Sequence, residues 1–162
     1  MGITGDAAAG QEQFMRVALD MAERSLAAGG PPVGACVVRR GADGQNELVA
    51  KAQNSVVAEL DATAHAEIMA IRAACAELRT LRLADCALFV TVQPCAMCLA
   101  ACHYAGIETV VYGASIDDFA ARSGAELAAP EALFAGQTQA PVVIGGVLRE
   151  ACQALLAEWA PR

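Results

Sequence analysis

The chain has 162 residues, 56% of them hydrophobic and 18% charged, which suits one domain with one sizeable core and argues against a disordered polymer. Eleven Lys and Arg stand against eighteen Asp and Glu, a formal net charge of −7. Proteins that grip phosphates carry a basic face, so this balance weighs against nucleic acid and towards a small, weakly charged substrate.

Residues 1–10 are small and polar and read as a frayed start. From Gln11 to Ala28, the residues Phe14, Val17, Met21 and Leu26 recur near helical spacing, and "GGPP" (29–32) ends that helix. "VGACVV" (33–38) and "ELVAKA" (47–52) read as two strands joined by the turn "GADGQN", a hairpin. A second helix is expected over about 65–79. "CALFVTV" (86–92) is a short run of strand formers with the look of a central strand. "CAMCLAACHYAG" (95–106) reads as a third helix closed by Gly106, and "IETVVYG" (107–113) as the next strand. The stretch 114–139 is mixed, with helical pieces near 117–122 and 130–135. "APVVIGG" (140–146) and "VLREACQALLAEWA" (147–160) supply a last strand and a last amphipathic helix. Helix, hairpin, then alternating helix and strand predict a single α/β domain built on one mixed sheet. No apolar run approaches the ~20 residues that span a bilayer.

The seven cysteines, Cys36, Cys75, Cys86, Cys95, Cys98, Cys102 and Cys152, are odd in number and sit mostly in apolar runs. "MGITGDAAAGQEQ" has neither the basic start nor the apolar centre of a signal peptide, so reduced thiols and a cytoplasmic setting are expected. Cys36, Cys75, Cys86 and Cys152 read as buried free cysteines.

Chemistry concentrates in "TAHAEIMAI" (63–71) and "QPCAMC" (93–98). Cys95 and Cys98 are three apart and follow Pro94, which puts both sulfurs on one face of a helix start. There the dipole and free N–H groups favour thiolates. Two Cys and one His make the three-ligand set of a catalytic zinc, whose fourth position is left for water. On an ideal helix His65 and Glu67 diverge by about 200°, so they converge only if His65 opens the helix, with Thr63 or Asp61 as its cap. His-x-Glu followed by Pro-Cys-x-x-Cys is the signature of zinc-dependent nucleobase deaminases, with Glu as the proton carrier. Two competitors are weaker: a redox CxxC needs no His-x-Glu, and a structural site would need a fourth ligand such as Cys102.

On these motifs the chain resembles the cytidine deaminase-like superfamily over almost its whole length, from "LDMAERSLAAGGPPVGACVV" to the last helix. Within it the chain looks like the branch of guanine deaminases and tRNA-specific adenosine deaminases, through "AQNSVVAELDATAHAEIMAIRAAC" and "LADCALFVTVQPCAMCLAA". The resemblance implies a three-layer α/β/α sandwich with a five-stranded mixed sheet, and a homodimer. It implies zinc held by His65, Cys95 and Cys98, with Glu67 as proton shuttle. It also implies substrate contacts from Asn54 and from an acidic residue near Asp118, with Asp117 or Glu126 as alternatives for the latter. A solvated helix position is the other reading of Asp118. His103 is a further pocket candidate, with a core or interface histidine as its alternative, and Arg72, Arg79 and Arg82 read as a solvated face.

Two departures from the branch stand out. Gln93 occupies a position often held by Glu, and "NSVVAELDATAHAE" is apolar and acidic where the tRNA enzymes resembled here carry basic residues. Four readings follow: a guanine-type deaminase of a small amino-purine, a tRNA adenosine deaminase, a cytosine or cytidine deaminase, and a non-catalytic zinc or redox module. The charge and "NSVVAEL" favour the first over the second.

Overall fold

The computed structural model describes residues 7–128, 130, 133–136 and 139–161. The elements run α1 (Ala7–Ala27), β1 (Gly34–Arg40), β2 (Asn46–Gln53), α2 (Val56–Glu59), α3 (Ala66–Leu78), β3 (Cys86–Val92), α4 (Ala96–Ala105), β4 (Thr109–Ala114), α5 (Ile116–Ser123), β5 (Val142–Ile144) and α6 (Arg149–Glu158). One five-stranded sheet has the order β2-β1-β3-β4-β5. β1 is antiparallel to β2 and β3, whereas β3, β4 and β5 are parallel. Every residue of β3 is buried, as its unbroken apolar run requires of a strand covered on both faces.

Helices lie on both faces. α1 packs on β1, β2 and β3 and touches α6, which covers β4; α3 packs on β1 and β2 and touches α4. Two glycines mark the closest approaches on the α1 and α6 face. A Cβ at Gly34 would collide with the Ala18 carbonyl of α1, and one at Gly113 with the Cys152 sulfur of α6. Phe14 of α1 meets Phe89 of β3 with ring centroids 5.5 Å apart, and the Cys36 thiol donates to the Phe14 carbonyl at 3.4 Å. On the other face α3 turns Ala66, Ala70 and Ala74 inwards, and this row of small side chains lets the helix lie close to the sheet.

The strands and the main helices fall where the sequence places them. Three differences have local causes. α1 begins at Ala7, before the expected Gln11; the expected frayed start otherwise falls on 1–6, outside the described residues. α2 is a four-residue turn, too short to leave a periodic signal. Of the helix expected near 130–135, residues 131 and 132 lie outside the described set and 133–136 form a turn. All seven cysteines are free, and Cys36, Cys86 and Cys152 are buried while Cys75 is half-buried. Among the described residues, no helix is long and apolar enough to cross a membrane.

Candidate metal centre and active site

Two chain reversals at one end of the sheet build the site. At the first, β2 ends at Gln53, and the Asn54 N–H donates to the Val33 carbonyl at 2.9 Å, extending the hairpin pairing by one residue. The loop that follows is closed by the Ser55 N–H on the Ala64 carbonyl, 2.9 Å, which sets Asn54 beside the start of α3. At the second, Gln93 and Pro94 follow β3, and α4 starts at Ala96 after its N-cap Cys95.

His65 and Cys95 are the N-cap residues of α3 and α4, both with extended backbone and neither using its side chain as a cap. An N-cap side chain ordinarily accepts from the first turn of its own helix. Here both are free to point across the gap between the two helix starts. Thr63 and Asp61 are therefore not the cap of α3. They bond to one another, Asp61 Oδ1 accepting from the Thr63 N–H at 2.8 Å and its hydroxyl at 2.7 Å.

The gap brings three ligand atoms together. His65 Nδ1 lies 3.8 Å from Cys95 Sγ and 3.5 Å from Cys98 Sγ, and all three ligand atoms fall within 4.8 Å of one another. A tetrahedral zinc with ordinary bond lengths sets its sulfur and nitrogen ligands about 3.6 Å apart. The cluster therefore fits zinc without rearrangement. Its polarity fits too. The Cys95 thiol falls to about 4, first because the Cys98 thiol donates to it and then because His65 does. Cys98 moves up in return, through that same bond and through burial. His65 is shifted upwards, chiefly by its contact with Cys95. Cys102 is fully buried one turn further along α4, its thiol pushed up by burial, and it is not part of the cluster.

Glu67 is the second residue of α3, 4% exposed, and lines the same cavity as His65 and Cys95. Burial pushes its carboxyl up to about 7, against the lowering effect of its backbone bond and of His65. First-turn geometry thus resolves the expected divergence of His65 and Glu67: both border the space beyond the helix end.

The cavity holds about 480 Å³. Its inner side carries Asn54, His65, Glu67, Gln93 and Cys95; its outer side carries Phe119 and Ser123 of α5, Ala125, Leu127, and the chain's end from Trp159 to Pro161. Phe119 and Trp159 stack with centroids 5.6 Å apart, and the Trp159 carbonyl accepts from Arg122 Nε at 2.6 Å. The Ala96 N–H at the start of α4 donates to the Ala128 carbonyl at 3.0 Å, tying this outer side to the metal corner.

Two of the expected substrate contacts sit elsewhere. Asp118 does not line the cavity. It closes the capping box of α5, exchanging bonds with Ser115, and accepts from Arg149 and from Gln153 of α6. The Arg149 guanidinium, above all, holds its carboxyl well below the usual range. His103 is not in the cavity either. It faces Phe134, centroids 5.1 Å apart, and lies 3.1 Å from the Gln139 carbonyl. The sequence reading missed Phe119 and Trp159. Their one signal was scarcity, since the chain has four Phe and one Trp.

Residues 9–114 match the cytidine and deoxycytidylate deaminase zinc-binding region. The chain belongs to this family. It is 45% identical over 105 residues to the tRNA-specific adenosine deaminase of Aquifex aeolicus, and 41% identical over 110 residues to the guanine deaminase of Bacillus subtilis. These matches cover 65% and 67% of the chain and about two thirds of each relative, 66% and 67%. The solved guanine deaminase from Nitrosomonas europaea superposes with a TM-score of 0.81 at 33% identity, over 91% of this chain and 82% of that one. A further solved chain with a TM-score of 0.81 and 34% identity, covering 91% of this chain and 80% of that one, is in complex with 2,6-diaminopurine. The family is one of zinc-type hydrolytic deaminases, and it includes relatives that act on a free base and relatives that act on tRNA.

Proposed function

We propose that this deaminase acts on a small amino-purine or a related free base, in the manner of a guanine deaminase, and releases ammonia. The observation that carries the reading is the cavity itself. Phe119, Trp159 and Pro161 border its outer side, and among the described residues neither Lys nor Arg lines it. An RNA loop would need room for flanking nucleotides and cations for its phosphates. A flat heterocycle needs an aromatic wall and a few polar groups, which is what this cavity offers.

In this reading His65, Cys95 and Cys98 hold one zinc ion. When bound, zinc supplies the Lewis acidity that makes water a nucleophile near neutral pH. Glu67 carries the protons. Its carboxylate takes one from the attacking water and delivers it to the ring nitrogen beside the amino-bearing carbon. It then passes a proton to the departing amine, so that base and water leave as the oxo-base and ammonia. A carboxyl raised to about 7 by burial is suited to taking and giving protons at that pH. Asn54, 8% exposed, orients the base: its Oδ1 accepts from the Val56 N–H at 3.2 Å, which leaves the Nδ2 hydrogens for the cavity. Glu126 lies between the cavity-lining residues Ala125 and Leu127 and is the acidic residue this reading places at the rim. The homodimer belongs to the same reading and is checked by sedimentation of the purified chain.

The second reading, a tRNA adenosine deaminase, draws on the similarity to the Aquifex aeolicus enzyme. Ammonia release measured across guanine, adenine, cytosine and their nucleosides tests the first. It predicts turnover confined to a purine base, and turnover of cytosine or cytidine alone would overturn it.

A further inference from the structure

Gln93 is the second amide side chain in the cavity, and its orientation is fixed by chemistry. Its backbone N–H donates to the Ala114 carbonyl at 2.8 Å, carrying the β3–β4 pairing one residue past the strand. Its side-chain Oε1 accepts from the Ile116 N–H at 3.2 Å. Ile116 is the first residue of α5, so this bond satisfies one of the N–H groups left over at a helix start. An N–H can be met only by the amide oxygen, so Nε2 with its two hydrogens must be the free end. Gln93 is half-buried and lines the cavity, and Nε2 has no partner among the described residues. Asn54 repeats the arrangement at the first residue of α2: Oδ1 is taken by the Val56 N–H and the NH₂ group is left over. The cavity thus holds two amide donors, each locked by a backbone N–H.

Donors held in place this way select for acceptors. A base with hydrogen or an amino group facing Nε2 would leave a donor unmet or set donor against donor, whereas an oxo group offers two lone pairs.

We propose that Gln93 is a specificity-determining residue whose Nε2 donates to an oxo group of the substrate ring, so that the site prefers an oxo-purine. This rests on the purine reading above, and the test keeps the two apart. Hypoxanthine and purine differ by the oxo group and the ring N–H beside it, and neither carries an amino group to lose; the Gln93→Glu variant isolates the part that belongs to Nε2. Their dissociation constants can be read from the fluorescence of Trp159, which is the chain's one tryptophan and lines the cavity.

The wild-type chain, zinc-loaded, should bind hypoxanthine at least about tenfold more tightly than purine. Gln93→Glu keeps an acceptor for the Ile116 N–H but loses the donor. In it the preference should fall about tenfold, with the melting temperature and zinc content unchanged. Gln93→Leu gives up both bonds, and should lose the preference and some thermal stability together. A preference that survives in Gln93→Glu overturns the assignment and leaves Gln93 only its part in capping α5. Wild-type chain that binds neither ring overturns the purine reading and this inference with it.

Discussion

The inner and outer sides of the cavity are built from different material. On the inner side, His65, Glu67, Cys95 and Cys98 sit within the first turns or caps of two helices that pack together at the sheet, and all but His65 are buried. On the outer side, Phe119, Leu127 and Trp159 come from a short helix, a loop and the chain's end, held by one aromatic stack and a few hydrogen bonds. The reacting groups are therefore placed by the core, and the ring-holding surfaces by elements that can change without disturbing it. This division predicts that inner substitutions cut turnover at constant fold, outer ones change affinity, and those beyond both change only stability.

The largest effect should come from Glu67→Ala. Turnover should fall about 10²- to 10⁴-fold, with zinc content and melting temperature held, because among the described lining residues Glu67 is the one carboxyl beside the ligand cluster. Ammonia release alongside metal analysis measures it, and near-normal turnover would break the inner side of the comparison. Metal removal should act through the same side. A chelator should remove one zinc per chain with all detectable activity, and added zinc should restore it; Cys98→Ser should bind zinc more weakly than wild type.

On the outer side, Trp159→Ala should raise KM about tenfold with little change in kcat, since an aromatic stack contributes roughly 1 kcal/mol beyond its buried area. A fall in kcat at constant KM would place Trp159 with the reacting groups instead. The smallest effect belongs to Asp118, which lies beyond both sides. Asp118→Ala should cost about 1 kcal/mol of stability, lowering the melting temperature by roughly 2–4 °C, with activity within a factor of two. Arg149 and the capping box hold its folded carboxyl below the usual range. Its contribution is therefore full above the unfolded value of about 3.9, and fades as pH falls further towards the folded one. The gap between wild type and Asp118→Asn should narrow accordingly on acidification. A raised KM in either variant would return Asp118 to the substrate.

The same division explains what could be read from the sequence. His65, Glu67, Cys95 and Cys98 were legible because their types are chemically rare and their spacing is set by helix starts a few residues away. The turn "GADGQN" and the apolar run of β3 pointed to the hairpin and the central strand for similarly local reasons. Phe119 and Trp159 were not legible, because forty residues separate them and only the packing of α5 against α6 brings them together. Asp118 could be read two ways because an acid in a helix's first turn suits two roles. Ser115, three residues before it, is the partner that decides for the cap. His103 could also be read two ways: it lies five residues beyond Cys98, and its ring faces Phe134 rather than the cavity.

The most direct test of the account sets two substrates side by side on the zinc-loaded chain: ammonia release from guanine, and inosine formation in a tRNA anticodon stem-loop. A cavity walled by Phe119 and Trp159, with neither Lys nor Arg lining it among the described residues, predicts guanine turnover that falls about 10²- to 10⁴-fold in Glu67→Ala, and no measurable inosine. Efficient inosine formation without guanine turnover would contradict it.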